Sequence, residues 1–343
     1  MGSMGILFSI AIDDIFKYQA GYPSVYIFPI LTMRKFLFKI VLFVALILLC
    51  AIGLDTFLSW RLRTNENRMY ASWNQVYNSD IDYDLVINGN SRALVQYDPM
   101  ILDSILEVGA FNLGMDGSAI NRQILKYKKY CELHGCPKYL IQNIDISTMA
   151  ITNGYEREQF FSYFFYDRDL MWDFDQYEHF SFAEKYIPAY RYIGYEEVLL
   201  EALFHDNTGH YFDYIKKGFK GHNLTWDGSK LSQQDKVECA CDTNAVKIFV
   251  DFLNEVTLEG TKVILVYAPI YHVAREKMTN EQQMFDMYDS IASRFDIPIL
   301  DYNAIPMCYD TVYFYNATHL NKRGAELFTT QLAHDIDSIG FMK

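Results

Sequence analysis

The stretch DLVINGNSR, residues 84–92, decides how the rest of this chain is interpreted. It is a short apolar run that ends in a glycine, an asparagine and a serine. A continuous apolar run closed by a turn is typical of a buried parallel strand. The turn then presents Ser91 at the carboxyl end of the strand, just before the next helix. Gly-x-Ser after a strand is common turn chemistry, so this motif needs a partner before it indicates catalysis.

Strand and helix patterns alternate after this stretch. Further strands are predicted at 109–114, 138–145, 262–267 and 297–301, and helices at 98–107, 118–134, 243–258, 279–294 and 322–338. Strands that alternate with helices predict an α/β fold whose parallel sheet is covered on both faces. Residues 150–235 break this rhythm, because they are rich in Tyr, Phe and Asp and have few strand patterns. They are predicted to form a mostly helical insertion at one end of the sheet.

The second motif is Asn316-Ala317-Thr318-His319, just before the last predicted helix. An imidazole with an amide or carboxylate three residues earlier suits a general base that is held by a hydrogen bond. Taken alone, His319 is more simply a surface residue near a helix start. Taken with Ser91, it predicts the nucleophile and the base of an acyl-transfer site.

Together the motifs resemble the SGNH hydrolase family, also called GDSL-like, in its membrane-anchored bacterial type. In that family a Gly-Asp-Ser-like turn follows the first strand, a glycine follows the second, an asparagine follows the third, and Asp-x-x-His precedes the last helix. The matching positions here are Ser91, Gly114, Asn143 and Asn316-x-x-His319. The resemblance covers two parts of the chain, about 82–147 and about 243–338.

The resemblance implies a flavodoxin-like three-layer sandwich with a parallel sheet. It also implies roles: Ser91 attacks an ester carbonyl and His319 accepts the serine proton. The backbone N–H groups of Ser91 and Gly114, with the Asn143 side chain, would form the oxyanion hole.

Two residues depart from the family pattern. Asn90 replaces the aspartate of Gly-Asp-Ser, which is a mild change. Asn316 replaces the aspartate that orients the imidazole and stabilises its charged form, and an asparagine offers an acceptor oxygen but no charge. Three interpretations stay open: a nearby carboxylate such as Asp310 substitutes, a Ser–His dyad works with a backbone carbonyl, or the site is degenerate.

An apolar segment near the N-terminus predicts a membrane anchor at 36–58, about the length that crosses a bilayer. Arg34, Lys35 and Lys39 lie at its start, so the positive-inside rule places the N-terminus in the cytoplasm and the C-terminal domain outside, in the periplasm of a Gram-negative cell. The alternatives are a cleaved signal peptide, a lipoprotein signal at Cys50 and a buried core helix. The first two lack the small residues that cleavage needs, and the third fits the flanking charges badly.

The predicted organisation follows from this anchor. Residues 1–35 form a cytoplasmic tail, of which 1–32 are interpreted as an over-extended gene start or a poorly ordered segment, since Met33 begins a stretch typical of a signal anchor. Residues 61–80 form a juxtamembrane segment. Residues 81–343 form the SGNH-like domain, with the aromatic-rich insertion at about 150–235.

Composition excludes some classes of function. A net charge of −13 argues against a nucleic-acid-binding protein, because phosphate contacts need clustered Lys and Arg. The six cysteines form no C-x-x-C pair and no glycine loop has phosphate-binding spacing, so neither a metal nor a cofactor is expected. In an exported domain Cys131 and Cys136 could pair.

These features predict an extracytoplasmic serine esterase or O-acyltransferase that acts on acylated cell-envelope or exopolysaccharide glycans through Ser91 and His319. The glycan is implied by the resemblance, and an aromatic content of 16% is compatible with sugar stacking as well as with a large core. The alternative is a catalytically degenerate binding or scaffold protein of the envelope on the same fold. Asn316 is the residue that favours this alternative.

Overall fold

The structure is a computed structural model. It describes residues 27–65, 71–78, 82–145, 148–149, 163, 167–175, 179–204, 216–229, 236–239 and 241–342. The chain divides into two compact units, Met1–Thr56 and Phe57–Lys343. Most of the predicted tail 1–35 and parts of the predicted insertion 150–235 lie outside the described residues.

The second unit is built on a parallel sheet. Its strands are β1 Leu85–Asn88, β2 Ala110–Asn112, β3 Tyr139–Asn143, β4 Lys262–Tyr267 and β5 Ile299–Asp301. The strand order is β2-β1-β3-β4-β5, and every neighbouring pair is parallel. This is the flavodoxin-like order, so the predicted α/β class with a parallel sheet is confirmed. A small antiparallel pair follows it, β6 Phe314–Asn316 and β7 His319–Leu320.

The helices surround the sheet. In chain order they are α1 Ile27–Arg63, α2 Ala71–Asn78, α3 Ser91–Gln96, α4 Pro99–Leu106, α5 Ile120–His134, α6 Arg168–Asp175, α7 Phe182–Tyr186, α8 Glu196–Phe204, α9 Thr243–Leu258, α10 His272–Glu276, α11 Glu281–Phe295 and α12 Lys322–Ser338. Asn321 caps α12, with its side chain accepting a hydrogen bond from the Gly324 N–H at 3.0 Å.

Two buried clusters explain why the strands are apolar along their whole length. On one face, Val86 packs with residues of α5, α9 and α11. On the other face, Leu85 and Ile87 pack with residues of α3, α4 and α12. Successive strand side chains point to opposite faces, so a sheet covered on both sides needs an apolar residue at nearly every position.

Gly114 allows α3 to approach the turn after β2. A Cβ atom at this position would lie 2.2 Å from the Leu94 backbone nitrogen and 2.6 Å from the Leu94 Cα. Backbone atoms cannot move aside as a flexible side chain can. The glycine therefore sets the distance between this turn and the helix that begins with Ser91.

We expect Gly114→Ala to lower the free energy of unfolding by about 3 kcal/mol or more, because overpacking against backbone exceeds the usual cost of an extra methyl group. The measurement is the thermal unfolding midpoint of the detergent-solubilised full chain. Gly53→Ala is the matched control, since its new methyl group would meet no atom within 4 Å. An unchanged midpoint for Gly114→Ala would show that the close approach is not required.

The predicted helical insertion contains one described part that is not helical. Its described parts include α6, α7 and α8, but residues 216–229 contain no helix and form a turn closed by an antiparallel bridge between Lys216 and Phe219. The Asn112 N–H donates to the Lys217 carbonyl at 2.9 Å. This segment covers part of the free edge of β2, and an open edge with unpaired backbone groups is a liability for a soluble domain. Sheet pairing, which local sequence does not report, explains the difference.

The N-terminal helix α1 is one continuous helix of 37 residues. Within it, Met33–Arg63 is long and apolar enough to cross a membrane. Its 31 residues extend about 46 Å at 1.5 Å per residue, which exceeds the roughly 30 Å hydrocarbon core of a bilayer. The helix includes the predicted anchor 36–58.

Candidate active site

Ser91 is positioned by the end of β1 and the start of α3. It is the first residue of α3, and the Asn90 side chain caps that helix by accepting a hydrogen bond from the Arg92 N–H at 3.0 Å. A residue at this place has its side chain at the carboxyl edge of the sheet, where parallel α/β folds form their sites. Ser91 is partly exposed, so its hydroxyl is accessible.

His319 is positioned by the β6–β7 pair. The backbone of this pair brings Asn316 opposite His319. Asn321 then fixes the start of α12, and its side-chain NH₂ also donates to the Val312 carbonyl at 2.8 Å. The segment that carries His319 is therefore fixed by the β6–β7 pairing on one side and by Asn321 on the other.

The structure brings the three predicted catalytic residues together. The His319 Nε2 atom lies 2.8 Å from the Ser91 Oγ, and the His319 Nδ1 atom lies 3.0 Å from the Asn316 Oδ1. Ser91 and His319 are 228 positions apart in the sequence. A nucleophile within hydrogen-bond reach of a base, with a third group on the far side of that base, is the geometry of an activated serine.

The backbone identifies which end of the Asn316 amide faces the imidazole. The N–H groups of Thr318 and His319 both donate to the Asn316 Oδ1, each at 3.0 Å. An amide nitrogen in that place would meet two donors, so the atom must be the oxygen. An oxygen next to Nδ1 requires the imidazole to carry its proton there. Nε2 is then free to accept the proton of Ser91.

The surroundings of His319 keep it neutral. Burial, followed by electrostatic interaction with Arg92 and with His222, lowers the pKa of His319 to about 3. The ring of Tyr315 stacks on the imidazole, with centroids 5.4 Å apart. A neutral imidazole is the form that can act as a base. Among the described residues, the groups that shift its pKa all disfavour its protonated form.

A buried network beneath Ser91 was not predicted from the sequence. The Arg92 guanidinium pairs with Asp145 at 2.9 Å, and both side chains are almost fully buried. The Asn90 side-chain NH₂ donates to the same Asp145 carboxylate. An aspartate at position 90 would instead place two carboxylates together, so Asn90 and Asp145 are a matched pair. The only sequence feature that could have indicated this network is the position of Asp145, two residues after β3.

Two of the predicted oxyanion donors, Gly114 and Asn143, already have hydrogen-bond partners in the structure. The Gly114 N–H donates to the Asn112 Oδ1 at 2.7 Å, and would have to leave this bond to hold an oxyanion. The Asn143 side chain is completely buried and accepts from the Tyr97 hydroxyl at 2.8 Å. The oxyanion roles of Ser91, Gly114 and Asn143 therefore stay predictions.

The backbone N–H groups of Ser91 and Gly117 have no hydrogen-bond acceptor among the described residues. Gly117 has a φ of 60°, a left-handed conformation that favours glycine. Its turn lies against the start of the site, because the Met115 N–H donates to the Gly89 carbonyl at 3.1 Å. The N–H of Gly117 is thus a further candidate donor to an oxyanion.

Asp310 does not take the place of the missing aspartate. Its carboxylate accepts from the Val312 N–H at 3.0 Å and caps a short 3₁₀ turn. The Nδ1 side of His319 is occupied by Asn316 and by the Thr318 hydroxyl at 3.1 Å. Of the three interpretations of Asn316, substitution by this carboxylate is therefore wrong in this structure.

Within the described ranges, no three His, Cys, Asp or Glu side chains are grouped so that they could hold a metal ion.

Comparisons with known proteins leave the family open. No family model and no curated protein sequence matches the chain. Among solved structures, it is similar to a protein assigned as an acylhydrolase from Bacteroides fragilis, with 12% identity and a TM-score of 0.38 over 76% of this chain and 93% of that one. It is also similar to a protein assigned to the lipolytic G-D-S-L family from Desulfitobacterium hafniense, with 12% identity and a TM-score of 0.36 over 73% and 97%. At this level of likeness, the chemistry of Ser91 has to be judged from its own surroundings.

Proposed function

We propose that this protein is a serine ester hydrolase or O-acyltransferase with Ser91 as nucleophile and His319 as general base. The observation that carries the proposal is the 2.8 Å contact between the His319 Nε2 and the Ser91 Oγ. Asn316 requires the tautomer of His319 that carries its proton on Nδ1. The Nε2 atom can therefore accept the proton of Ser91. A surface histidine near a helix start would have no reason to be held in this way.

The proposed reaction has two steps. The Ser91 Oγ attacks the ester carbonyl while His319 takes its proton, and that proton then passes to the leaving alkoxide as the ester C–O bond breaks. An acyl group is left on Ser91. Water or a sugar hydroxyl then attacks the acyl carbon, His319 takes the proton of the attacking group, and Ser91 recovers it. Hydrolase and transferase differ only in this acceptor.

We further propose that the reaction takes place outside the cytoplasm on acylated cell-envelope or exopolysaccharide glycans. Three features support this: the long apolar helix α1, the charges at its start, and a disulfide between Cys131 and Cys136 at the end of α5. Disulfides persist in oxidising compartments and are rare in the cytosol. The aromatic-rich insertion supports a glycan, because sugars stack on aromatic rings.

The disulfide gives a direct test of the compartment. We expect the denatured, unreduced full chain to bind four alkylating groups, at Cys50, Cys239, Cys241 and Cys308, and the reduced chain to bind six. Mass spectrometry of the protein purified from membranes distinguishes the two counts. Cys131→Ser removes one thiol and frees its partner Cys136, so the unreduced and the reduced variant should both bind five groups. Six groups on the unreduced chain would contradict an oxidising location.

A scaffold role is the second candidate, and Asn316 is the observation that favours it. A base without an anionic partner is weak, and a pKa of about 3 for His319 agrees with that. A fluorophosphonate probe separates the two candidates when it is applied to the full chain in detergent. Covalent labelling at Ser91 supports the enzyme, and no labelling at any pH from 5 to 9 supports the scaffold.

A further inference from the structure

The segment 179–204 of the second unit exposes an unusual amount of apolar surface. Five of its large side chains form what we call the apolar platform: Phe182, Tyr186, Ile187, Tyr190 and Ile193. Phe182 is 74% exposed and Ile193 is 63% exposed. The rings of Phe182 and Tyr186 are in contact, with centroids 4.8 Å apart. Several large apolar side chains exposed within one segment mark a protein or membrane contact more often than plain solvent-facing surface.

The same segment is firmly attached on its other side. Phe180, Tyr192 and Leu199 are buried in one cluster with Leu58 and Leu62 of α1. The platform therefore projects from a packed part of the domain. Its exposure is not that of a loose chain end.

The segment is attached to the part of α1 that directly follows the predicted anchor. The Tyr192 hydroxyl lies 2.8 Å from the Ser59 Oγ, and the Arg191 guanidinium donates to the same oxygen at 3.1 Å. Ser59 directly follows Leu58, the last residue of the predicted anchor. Tyr192 therefore contacts the residue that directly follows the predicted anchor.

The side chains near the attachment point are of the kinds that are found at a membrane interface. Phe57 and Trp60 of α1 are exposed beside the attachment point. The Lys185 ammonium lies 5.4 Å from the centre of the Trp172 ring, so a cation caps an aromatic side chain. Aromatic residues and long cationic side chains are enriched where hydrocarbon meets head groups.

We propose that the apolar platform inserts into the interface of the same bilayer that α1 crosses, as a second membrane contact of the domain. The continuity of the platform with the end of the span favours lipid over a soluble partner. Residues 179–204 contain four glutamates against Lys185 and Arg191, so the attraction is apolar and needs no anionic lipid. The proposal goes beyond the catalytic function and does not rest on it. Two contacts, unlike one helix, hold the domain at a fixed height and orientation.

The test uses the full chain in phosphatidylcholine nanodiscs that hold one copy each. An environment-sensitive NBD fluorophore is attached at Ile193→Cys, in a chain whose accessible thiols are removed by Cys50→Ser, Cys239→Ser and Cys241→Ser. Phosphatidylcholine with a head-group nitroxide is the quencher. The control site is Leu258→Cys, which is 79% exposed and lies just before the amino end of β4, away from the site edge of the sheet.

We expect several-fold stronger quenching at position 193 than at 258. The double substitution Phe182→Glu and Ile187→Glu should reduce quenching at 193 to the control level. Circular dichroism and the unfolding midpoint show whether that variant is folded. Equal quenching at 193 and 258 would overturn the proposal. A blue-shifted emission at 193 without quenching, which grows with protein concentration in detergent, would instead identify a second copy as the occupant and also overturn it.

Discussion

Replacing Ser91 with alanine is expected to abolish fluorophosphonate labelling of the full chain and to remove its activity on p-nitrophenyl acetate. Loss of the nucleophile in a serine triad costs on the order of 10⁶ in kcat. The starting activity here is lowered by the missing aspartate, so a measured loss of about 10³ to 10⁴ is expected instead. His319→Ala should cause a loss of similar size, because the two residues act as one unit.

The control for this prediction is Ser338→Ala. Ser338 is exposed near the end of α12, and its hydroxyl donates only to the Asp335 carbonyl at 2.8 Å. This variant should label like the wild type. Labelling that persists in Ser91→Ala would place the nucleophile elsewhere, and the catalytic proposal would then fail even with the fold intact.

Replacing Asn316 with aspartate is expected to raise kcat by about 10². A carboxylate about 4 Å from the centre of the imidazole stabilises the imidazolium by about 4 kcal/mol at an effective dielectric constant of 20, and screening reduces this value. The new carboxylate would keep the two backbone N–H donors that Asn316 has, from Thr318 and His319. Those donors favour its ionised form.

The usual penalty of asparagine in this position is only partly present. In serine proteases, an asparagine facing the histidine costs about 10⁴ in kcat, and the cost is attributed to the wrong tautomer. Here the backbone turns the amide oxygen towards His319, so the tautomer is already correct. The expected gain from aspartate is therefore the electrostatic part alone.

The pH profile provides a readout that a structural effect would not reproduce. His319 must be neutral to accept a proton, and its pKa is lowered to about 3. Activity of the wild type should therefore be lost only well below pH 5. In Asn316→Asp the added charge raises the pKa of His319 towards its ordinary value near 6.5, so activity should fall at correspondingly higher pH.

Asn254→Asp is the control for the added charge. Asn254 is exposed on α9, on the helix that ends beside the amino edge of the sheet. It should change neither kcat nor the acid limb of the profile. An Asn316→Asp variant that is folded, labels no faster and keeps the wild-type profile would show that the charge of this residue does not limit the reaction.

Local sequence was sufficient for much of the fold. The predicted helix 243–258 and strand 262–267 have the observed bounds, and so does the predicted helix 322–338, which is α12. Each of these elements is specified by side chains close in sequence: an apolar period, a capping residue or a continuous buried run. The order of the strands could be anticipated as well, since parallel α/β sheets allow few connections.

The order of the motifs also brought Ser91, Asn316 and His319 into one hypothesis before any distance was known. What local sequence did not contain was the direction of each hydrogen bond. The Gly114 N–H donates to Asn112, and Asp310 caps its own turn, because nearby partners satisfy these groups first. Neither result can be read from residue type or spacing.

Residues 84–92 show which features the local sequence determines and which only the tertiary structure decides. The sequence by itself determined a buried strand that ends in a serine, because apolar runs and turn residues act over a few positions. Only the tertiary structure decided that Asn90 faces Asp145 and that the oxygen of Asn316 faces His319. These contacts join residues on different elements or depend on backbone donors held in a hairpin. Their energies depend on burial and on the direction of each donor, which exist only once the sheet has formed.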